Sequence, residues 1–175
     1  MADLPKLTFV LGGASSGKSA LAESLVVQSG APRVYLATSK VYDAEMAAKV
    51  RDHIDARGEG WTTIEEPLDM EKALALVTED QVVLLDCASM WLTNHMMEEH
   101  DIAAETDAFL KALNTCKGRI VIVSNEVGMG IVPDNALARR FRIAQGRLNQ
   151  QLAQASDLAV FVIAGLPQVL KGTLP

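Results

Sequence analysis

The run Gly12-Gly13-Ala14-Ser15-Ser16-Gly17-Lys18-Ser19 fits G-x-x-x-x-G-K-[ST] at every fixed position. Such a loop is suited to phosphate. Its glycines let the backbone curl until successive N–H groups face one anion, and the helix that starts there adds a partial positive charge. In that arrangement Lys18 reaches the β- and γ-phosphates of a nucleoside triphosphate, and the Ser19 hydroxyl ligates Mg²⁺. The second protein partner of such an ion is an acid that closes a neighbouring strand. Asp86 ends the run Val82-Val83-Leu84-Leu85 and meets that requirement, whereas Asp157 precedes a strand and belongs to the wrong end of the sheet.

A second constellation lies downstream. Glu45, Lys49, His53 and Arg57 recur every four residues, a spacing that aligns them on one helix face. Lys49, His53 and Arg57 suit a phosphate chain, and a neutral imidazole near pH 7 is a nucleophile toward phosphorus. The same spacing also describes a solvated charge ladder. Spacing alone leaves both readings open.

The elements that must position these residues follow from apolar patterning. Leu7 to Leu11, Val34 to Ala37, Trp61 to Ile64, Val82 to Asp86, Ile120 to Ser124 and Leu158 to Ala164 read as strands. Helices are expected over 18–29, 43–57, 71–77, 102–113 and 135–156, the last open to interruption near Gly146. Asp43 and Gly58 suit the ends of the second helix, and Met46, Val50 and Ile54 supply its apolar stripe. Met90 to Asp101, rich in Met, His and Glu, is the least regular stretch and reads as a loop or a subunit contact. Trp61 and Trp91 read as core or interface residues. Strands alternate with helices, and several strands are continuously apolar, as strands covered on both faces are. The expectation is an α/β fold with a mostly parallel central sheet and flanking helices, in a single domain over residues 1–175.

Composition narrows the function classes. Hydrophobic residues make up 49% and aromatics 5% of the 175 residues, so the core is aliphatic. A net charge of −6 argues against nucleic acid as partner, since such binders carry a basic face. Cys87 and Cys116 stand far apart, which fits a reducing compartment and neither a disulfide framework nor a zinc-binding spacing. The N-terminus has no signal-peptide profile, and no apolar run approaches the ~18 residues of a membrane span. A cytoplasmic protein is expected.

Further segments make the chain recognisable. After the phosphate loop come Tyr35-Leu36-Ala37-Thr38, Asp43-Ala44-Glu45-Met46, His53 with Arg57, Glu65, Asp86-Cys87 and Trp91-Leu92-Thr93-Asn94. Asn125-Glu126-Val127-Gly128-Met129-Gly130-Ile131-Val132-Pro133 follows, then Arg139 to Arg142, Asn149-Gln150, Ala164-Gly165-Leu166-Pro167 and Lys171. In order and spacing this resembles the adenosylcobinamide kinase / adenosylcobinamide-phosphate guanylyltransferase family, from about Leu7 to Lys171.

The resemblance implies a RecA-like P-loop fold and a homotrimer. It also implies two activities: phosphorylation of adenosylcobinamide by ATP or GTP, then transfer of GMP from GTP to adenosylcobinamide phosphate, giving adenosylcobinamide-GDP. The family holds GMP on a histidine at the position of His53. It further implies that Thr38, Ser39, Ile54, Asp55, Ala56, Arg57, Glu65 and Asp86 touch nucleotide or metal. Glu126 is a candidate base for the kinase step. Two positions depart from the family pattern: Ser15 stands where relatives often have arginine, and Asp52 where some have a second histidine. Two other readings of the residues are a P-loop kinase of a small alcohol with a structural His53, and a RecA-like nucleotide switch that transfers nothing.

Overall fold

A computed structural model describes residues 4–40 and 58–175. The expected helix over 43–57, with His53, therefore lies outside the described residues. The chain begins with β1 (Leu7–Gly12), α1 (Lys18–Gln28) and β2 (Arg33–Ala37). It continues with β3 (Trp61–Glu65), α2 (Met70–Ala75), β4 (Val82–Asp86), α3 (Ala88–Met97) and α4 (Ile102–Thr115). The last elements are β5 (Arg119–Asn125), α5 (Ala136–Ala155), β6 (Leu158–Ile163) and β7 (Leu166–Lys171).

The strands form one sheet in the order β3-β2-β4-β5-β1-β6-β7. All pairings are parallel except β6 with β7. Side chains alternate between the two faces, as the two-residue period of a strand requires. Leu7, Phe9, Ile120, Ile122, Val83 and Leu85 pack with α2, α3, α4 and α5. Val10, Val121, Val123, Val82 and Leu84 pack with Ala22, Leu25 and Val26 of α1. Both faces are thus apolar, which explains the unbroken aliphatic runs. Burying each such side chain contributes about 1.5–3 kcal/mol.

Three expectations are corrected. Residues 88–97 form helix α3 and not a loop: Trp91, Leu92, Asn94 and His95 are buried. Their polar members hide the apolar stripe in the sequence, because Asn94 bonds the Thr38 and Pro67 carbonyls inside the protein. Helix α5 runs unbroken through Gly146, since Leu148 and Leu152 anchor it to the core on one side of that residue and packing outweighs one glycine's propensity. Strand β7 was not expected. Ala164 and Gly165, at φ 52° and 78°, make a two-residue turn of the kind that fits a hairpin's twist, and β7 lies fully exposed along β6.

Candidate nucleotide-binding site

The five strands β1 to β5 end on one edge of the sheet. Register places Ala37 beside both Glu65 and Asp86, and Gly12 beside Asn125. The loop Gly12–Ser19, Thr38, Ser39, Glu65 and Asp86 therefore gather along one edge, where open α/β sheets receive ligands. Strand β5 lies between β1 and β4, so Asn125-Glu126 emerges between the loop and Asp86. Asp157 sits at the opposite edge, where its carboxylate accepts the Leu7 N–H at 2.9 Å.

The loop is closely fitted underneath. A Cβ on Gly12 would run into the Ser16 hydroxyl and approach the Val162 carbonyl to 2.8 Å. Gly17, at φ 93°, would put a Cβ 3.0 Å from the Gly165 Cα. Ser16 carries a buried hydroxyl without a hydrogen-bond partner, and its carbonyl accepts the Gly165 N–H at 2.8 Å. Its side chain thus forms the loop's floor, and any part Ser16 takes in binding comes from its backbone. Ala14, Ser15 and Gly17 are exposed above it. Ser15 adopts φ 54°.

Helix α1 differs from most other helices of the protein at its start. Asp69, Asp101 and Asn135 cap α2, α4 and α5 with their side chains. Gly17 gives α1 no side-chain cap, and its first turn has no acid. Its first N–H groups and positive dipole end are left to an anion from outside. Lys18 Nζ folds back onto the Gly13 carbonyl at 3.1 Å, a contact that a phosphate oxygen can replace. Ser19 lies in the first turn of the same helix. A serine hydroxyl and the Asp86 carboxylate are hard oxygen donors of the kind Mg²⁺ takes, so this pair fits that ion.

Asp86 is half-buried and accepts the Tyr35 hydroxyl at 3.2 Å. Beside it, Thr38 satisfies both backbone groups of Cys87: its hydroxyl donates to the carbonyl at 2.8 Å and accepts the N–H at 2.9 Å. Burial, with the Asp86 charge next to it, pushes the Cys87 thiol up to about 11, so it stays protonated. Asn94 of α3 donates to the Thr38 carbonyl at 2.7 Å. Thr38 is fully buried and acts as the joint between β2, β4 and α3. Ser39 next to it is half-buried and Glu65 is exposed.

The segment after β5 is held from two sides. The Glu126 N–H donates to the Gly12 carbonyl at 2.9 Å, and its carboxylate accepts the Gly128 N–H. Arg142 of α5 donates to the Gly128 carbonyl. Behind it lies a buried polar cluster that sequence reading missed as a unit. Ser124 donates to Asn149 at 2.7 Å, Gln145 donates to both at 3.0 and 2.9 Å, and Ser89 accepts the Asn125 N–H at 2.9 Å. The small and amide residues of α5 that face β5, among them Gln145 and Asn149, were the available signal. A cavity of about 610 Å³ lies elsewhere, between α4 and α5.

His53, Ile54, Asp55, Ala56 and Arg57 fall outside the described residues, within the connection from β2 to β3. That connection leaves β2 at the edge carrying the loop.

Known proteins agree with this geometry. A sequence model described as cobinamide kinase / cobinamide phosphate guanyltransferase matches residues 8–170. The chain is 40% identical to the bifunctional adenosylcobalamin biosynthesis protein CobP of Pseudomonas aeruginosa, covering 93% of this chain and 96% of that one. It is 38% identical to CobU of Escherichia coli K12, covering 94% and 99%. In structure it resembles a RadB recombinase (TM-score 0.51, 14% identity, 91% and 76% covered) and a Pyrococcus horikoshii OT3 protein (TM-score 0.58, 10% identity, 99% and 89% covered). Those two likenesses establish the fold, a RecA-like P-loop α/β sheet. With a phosphate loop on that sheet and a sequence match along nearly its whole length, the chain belongs to the cobinamide kinase / cobinamide phosphate guanyltransferase family.

Proposed function

We propose that this protein phosphorylates adenosylcobinamide with ATP or GTP and then transfers GMP from GTP to adenosylcobinamide phosphate, through a GMP adduct on His53. The observation that carries the reading is the uncapped start of α1 within the Gly12–Ser19 loop, in a chain whose family match spans residues 8–170.

In the transferase step a nitrogen of His53 attacks the α-phosphorus of GTP. A P–N bond forms, the P–O bond to the β-phosphate breaks, and pyrophosphate leaves. The loop N–H groups and Lys18 take up the charge on that leaving group. Lys49 or Arg57 neutralises the equatorial oxygens. An oxygen of adenosylcobinamide phosphate then attacks the same phosphorus, the P–N bond breaks, and His53 is regenerated. Mg²⁺, held by Ser19 and Asp86, would neutralise phosphate charge. Ser39, Ile54, Asp55, Ala56, Arg57 and Glu65 complete the nucleotide contacts, and the fully buried Thr38 serves them from behind as the joint that holds Ser39 and Asp86 in place. In the kinase step Glu126 accepts the proton of the attacking hydroxyl. Its place between the loop and Asp86 supports that role, and Glu126→Gln is expected to lower kinase turnover without preventing guanylylation.

We read the protein as cytoplasmic and as a homotrimer. Among the described residues no helix is long and apolar enough to cross a membrane. Met129, Ile131 and Val132 after β5, and Leu166 and Leu170 on β7, are exposed, which supports subunit contacts through these surfaces.

The test uses GTP radiolabelled at the α-phosphate, with Mg²⁺ and no acceptor, on wild type and His53→Asn. Acid-labile, base-stable label on wild type and none on the variant is expected. Binding of GTP without label on either protein would sink the covalent mechanism and favour a plain kinase or a nucleotide switch.

A further inference from the structure

The corner between α3 and α4 gathers side chains that the nucleotide chemistry does not use. His95 lies in the last turn of α3 and is buried. The chain turns through Glu99, at φ 57°, and brings His100 back so that its N–H bonds the His95 carbonyl. Asp101 then caps α4, which sets Glu105 in the first turn of that helix.

The ligand atoms converge. His95 Nδ1 lies 2.9 Å from His100 Nδ1 and 3.8 Å from a Glu105 carboxylate oxygen. One such atom from each of the three residues lies within 4.8 Å of the others. Ligands around a tetrahedral ion with bonds of about 2.0–2.1 Å stand about 3.3–3.4 Å apart. The two measured separations fall on either side of that value, each within about half an ångström.

The outer partners are also in place. His95 Nε2 faces the Leu68 carbonyl at 3.3 Å. A carbonyl only accepts, so that nitrogen carries the proton and Nδ1 presents a lone pair. His100 Nε2 lies 3.5 Å from a Glu98 carboxylate oxygen. Each imidazole thus has a backbone or carboxylate acceptor behind the nitrogen opposite its ligating one, the arrangement that orients metal-binding histidines. All three residues line one open cavity of about 330 Å³, bounded also by Leu68, Trp91 and Phe109, which admits an ion and leaves room for water as fourth ligand.

We propose that His95, His100 and Glu105 form a binding site for a divalent transition ion of the zinc class. Two imidazoles and one carboxylate are a borderline nitrogen–oxygen set that suits Zn²⁺ and not Mg²⁺. Without the ion, His100 Nδ1–H donates to His95 Nδ1; with it, the His100 proton resides on Nε2 toward Glu98 and both Nδ1 atoms turn to the metal. The ion ties α3 to α4. Because α3 also carries Asn94, which bonds the Thr38 carbonyl, the tie steadies the wall of the nucleotide site.

The test titrates Zn²⁺ alone into untagged, chelator-treated protein by calorimetry, with the Co²⁺ visible spectrum and the melting temperature as second readouts. Wild type is expected to bind a single ion at this site, to melt higher with Zn²⁺, and to give a tetrahedral Co²⁺ spectrum. His95 packs on Trp91 with ring centres 4.5 Å apart, and its removal threatens folding. The variants are therefore His100→Ala and Glu105→Gln, which change exposed or half-buried side chains. Each is expected to weaken Zn²⁺ binding by more than roughly tenfold, the least that even a lost outer partner costs, and to abolish the melting shift. No Zn²⁺ binding by wild type, or equal binding by wild type and both variants, overturns the proposal.

Discussion

The N–H of Gly165, at the tip of the β6–β7 hairpin, donates a 2.8 Å hydrogen bond to the carbonyl of Ser16 inside the phosphate loop. The last strand pair of the sheet is therefore part of the loop's support, although its outer strand, β7, adds only an exposed edge to the fold. Gly17 completes the contact, because its missing side chain lets the Gly165 backbone come close.

This contact separates two glycines that share a backbone conformation. Gly17 and Gly30 have φ of 93° and 70°, but only Gly17 has backbone within 3.0 Å of a Cβ. Gly30→Ala is expected to cost about 1 kcal/mol from the left-handed conformation alone and to leave GTP affinity unchanged. Gly17→Ala is expected to cost more and to weaken GTP binding by at least about tenfold, as the lifted loop loses N–H contacts. Denaturant melts and calorimetric GTP titration check both. Equal GTP affinity in the two variants would show that the hairpin does not shape the loop.

Thr38→Val replaces a hydroxyl by a methyl of similar shape and leaves the buried N–H of Cys87 unpaired, while the Cys87 carbonyl keeps the Trp91 N–H at 3.2 Å. A loss of about 1–3 kcal/mol is expected from that one group. Thr38→Ser keeps the hydroxyl and should lose less. Urea unfolding distinguishes them, and similar losses would mean that packing, not hydrogen bonding, sets the role of Thr38.

Glu66 supplies the pH prediction. Burial alone would raise its carboxyl, but the N–H groups of Asp69 and Leu68, with Lys72, outweigh it and hold the group below its ordinary value of 4.5. The unfolded chain therefore binds this proton more readily. The contribution is complete above about pH 4.5 and is lost as pH falls through the lower folded value. Glu66→Ala should cost about 1 kcal/mol at pH 7, as loss of a helix-entry acceptor does. The gap to wild type should narrow in acid. A gap that widens on acidification would contradict the sign.

At the loop itself, Lys18→Ala is expected to weaken GTP binding by about 10–100-fold, the worth of charge-assisted hydrogen bonds. Asp86→Asn should act differently. Its GTP affinity in chelator should match wild type, while the gain on adding Mg²⁺ should shrink. Titrations with and without Mg²⁺ test this, and an unchanged Mg²⁺ effect would remove Asp86 from the metal set.

Much of this was legible in the residues. The parallel strands declared themselves because both faces of the sheet are covered, so Val82 to Leu85 and Ile120 to Val123 had to be apolar throughout. The loop was legible because its glycines and lysine are fixed by phosphate geometry. Helix α3 was not, because Ser89, Asn94 and His95 are polar residues that are buried against partners far away in sequence, the Asn125 N–H and the Thr38 and Leu68 carbonyls. Strand β7 escaped because it has no buried face to impose alternation, and Pro167 disguises it. Only the two residues Ala164-Gly165 between apolar runs announced the hairpin. The roles given to His53 through Arg57 rest on sequence resemblance, as those residues lie outside the described ones.

The cluster of Ser89, Ser124, Gln145 and Asn149 also bears on how this protein can change over generations. Each member serves at least one of the others or the Asn125 backbone. Replacing one strands its neighbours in the core, at about 1–3 kcal/mol for each group left unmet, although an all-apolar replacement of the whole set can be tolerated. The route from one solution to the other therefore runs through poorer ancestors. This patch is expected to change by joint substitution or not at all, while the surface around it drifts freely.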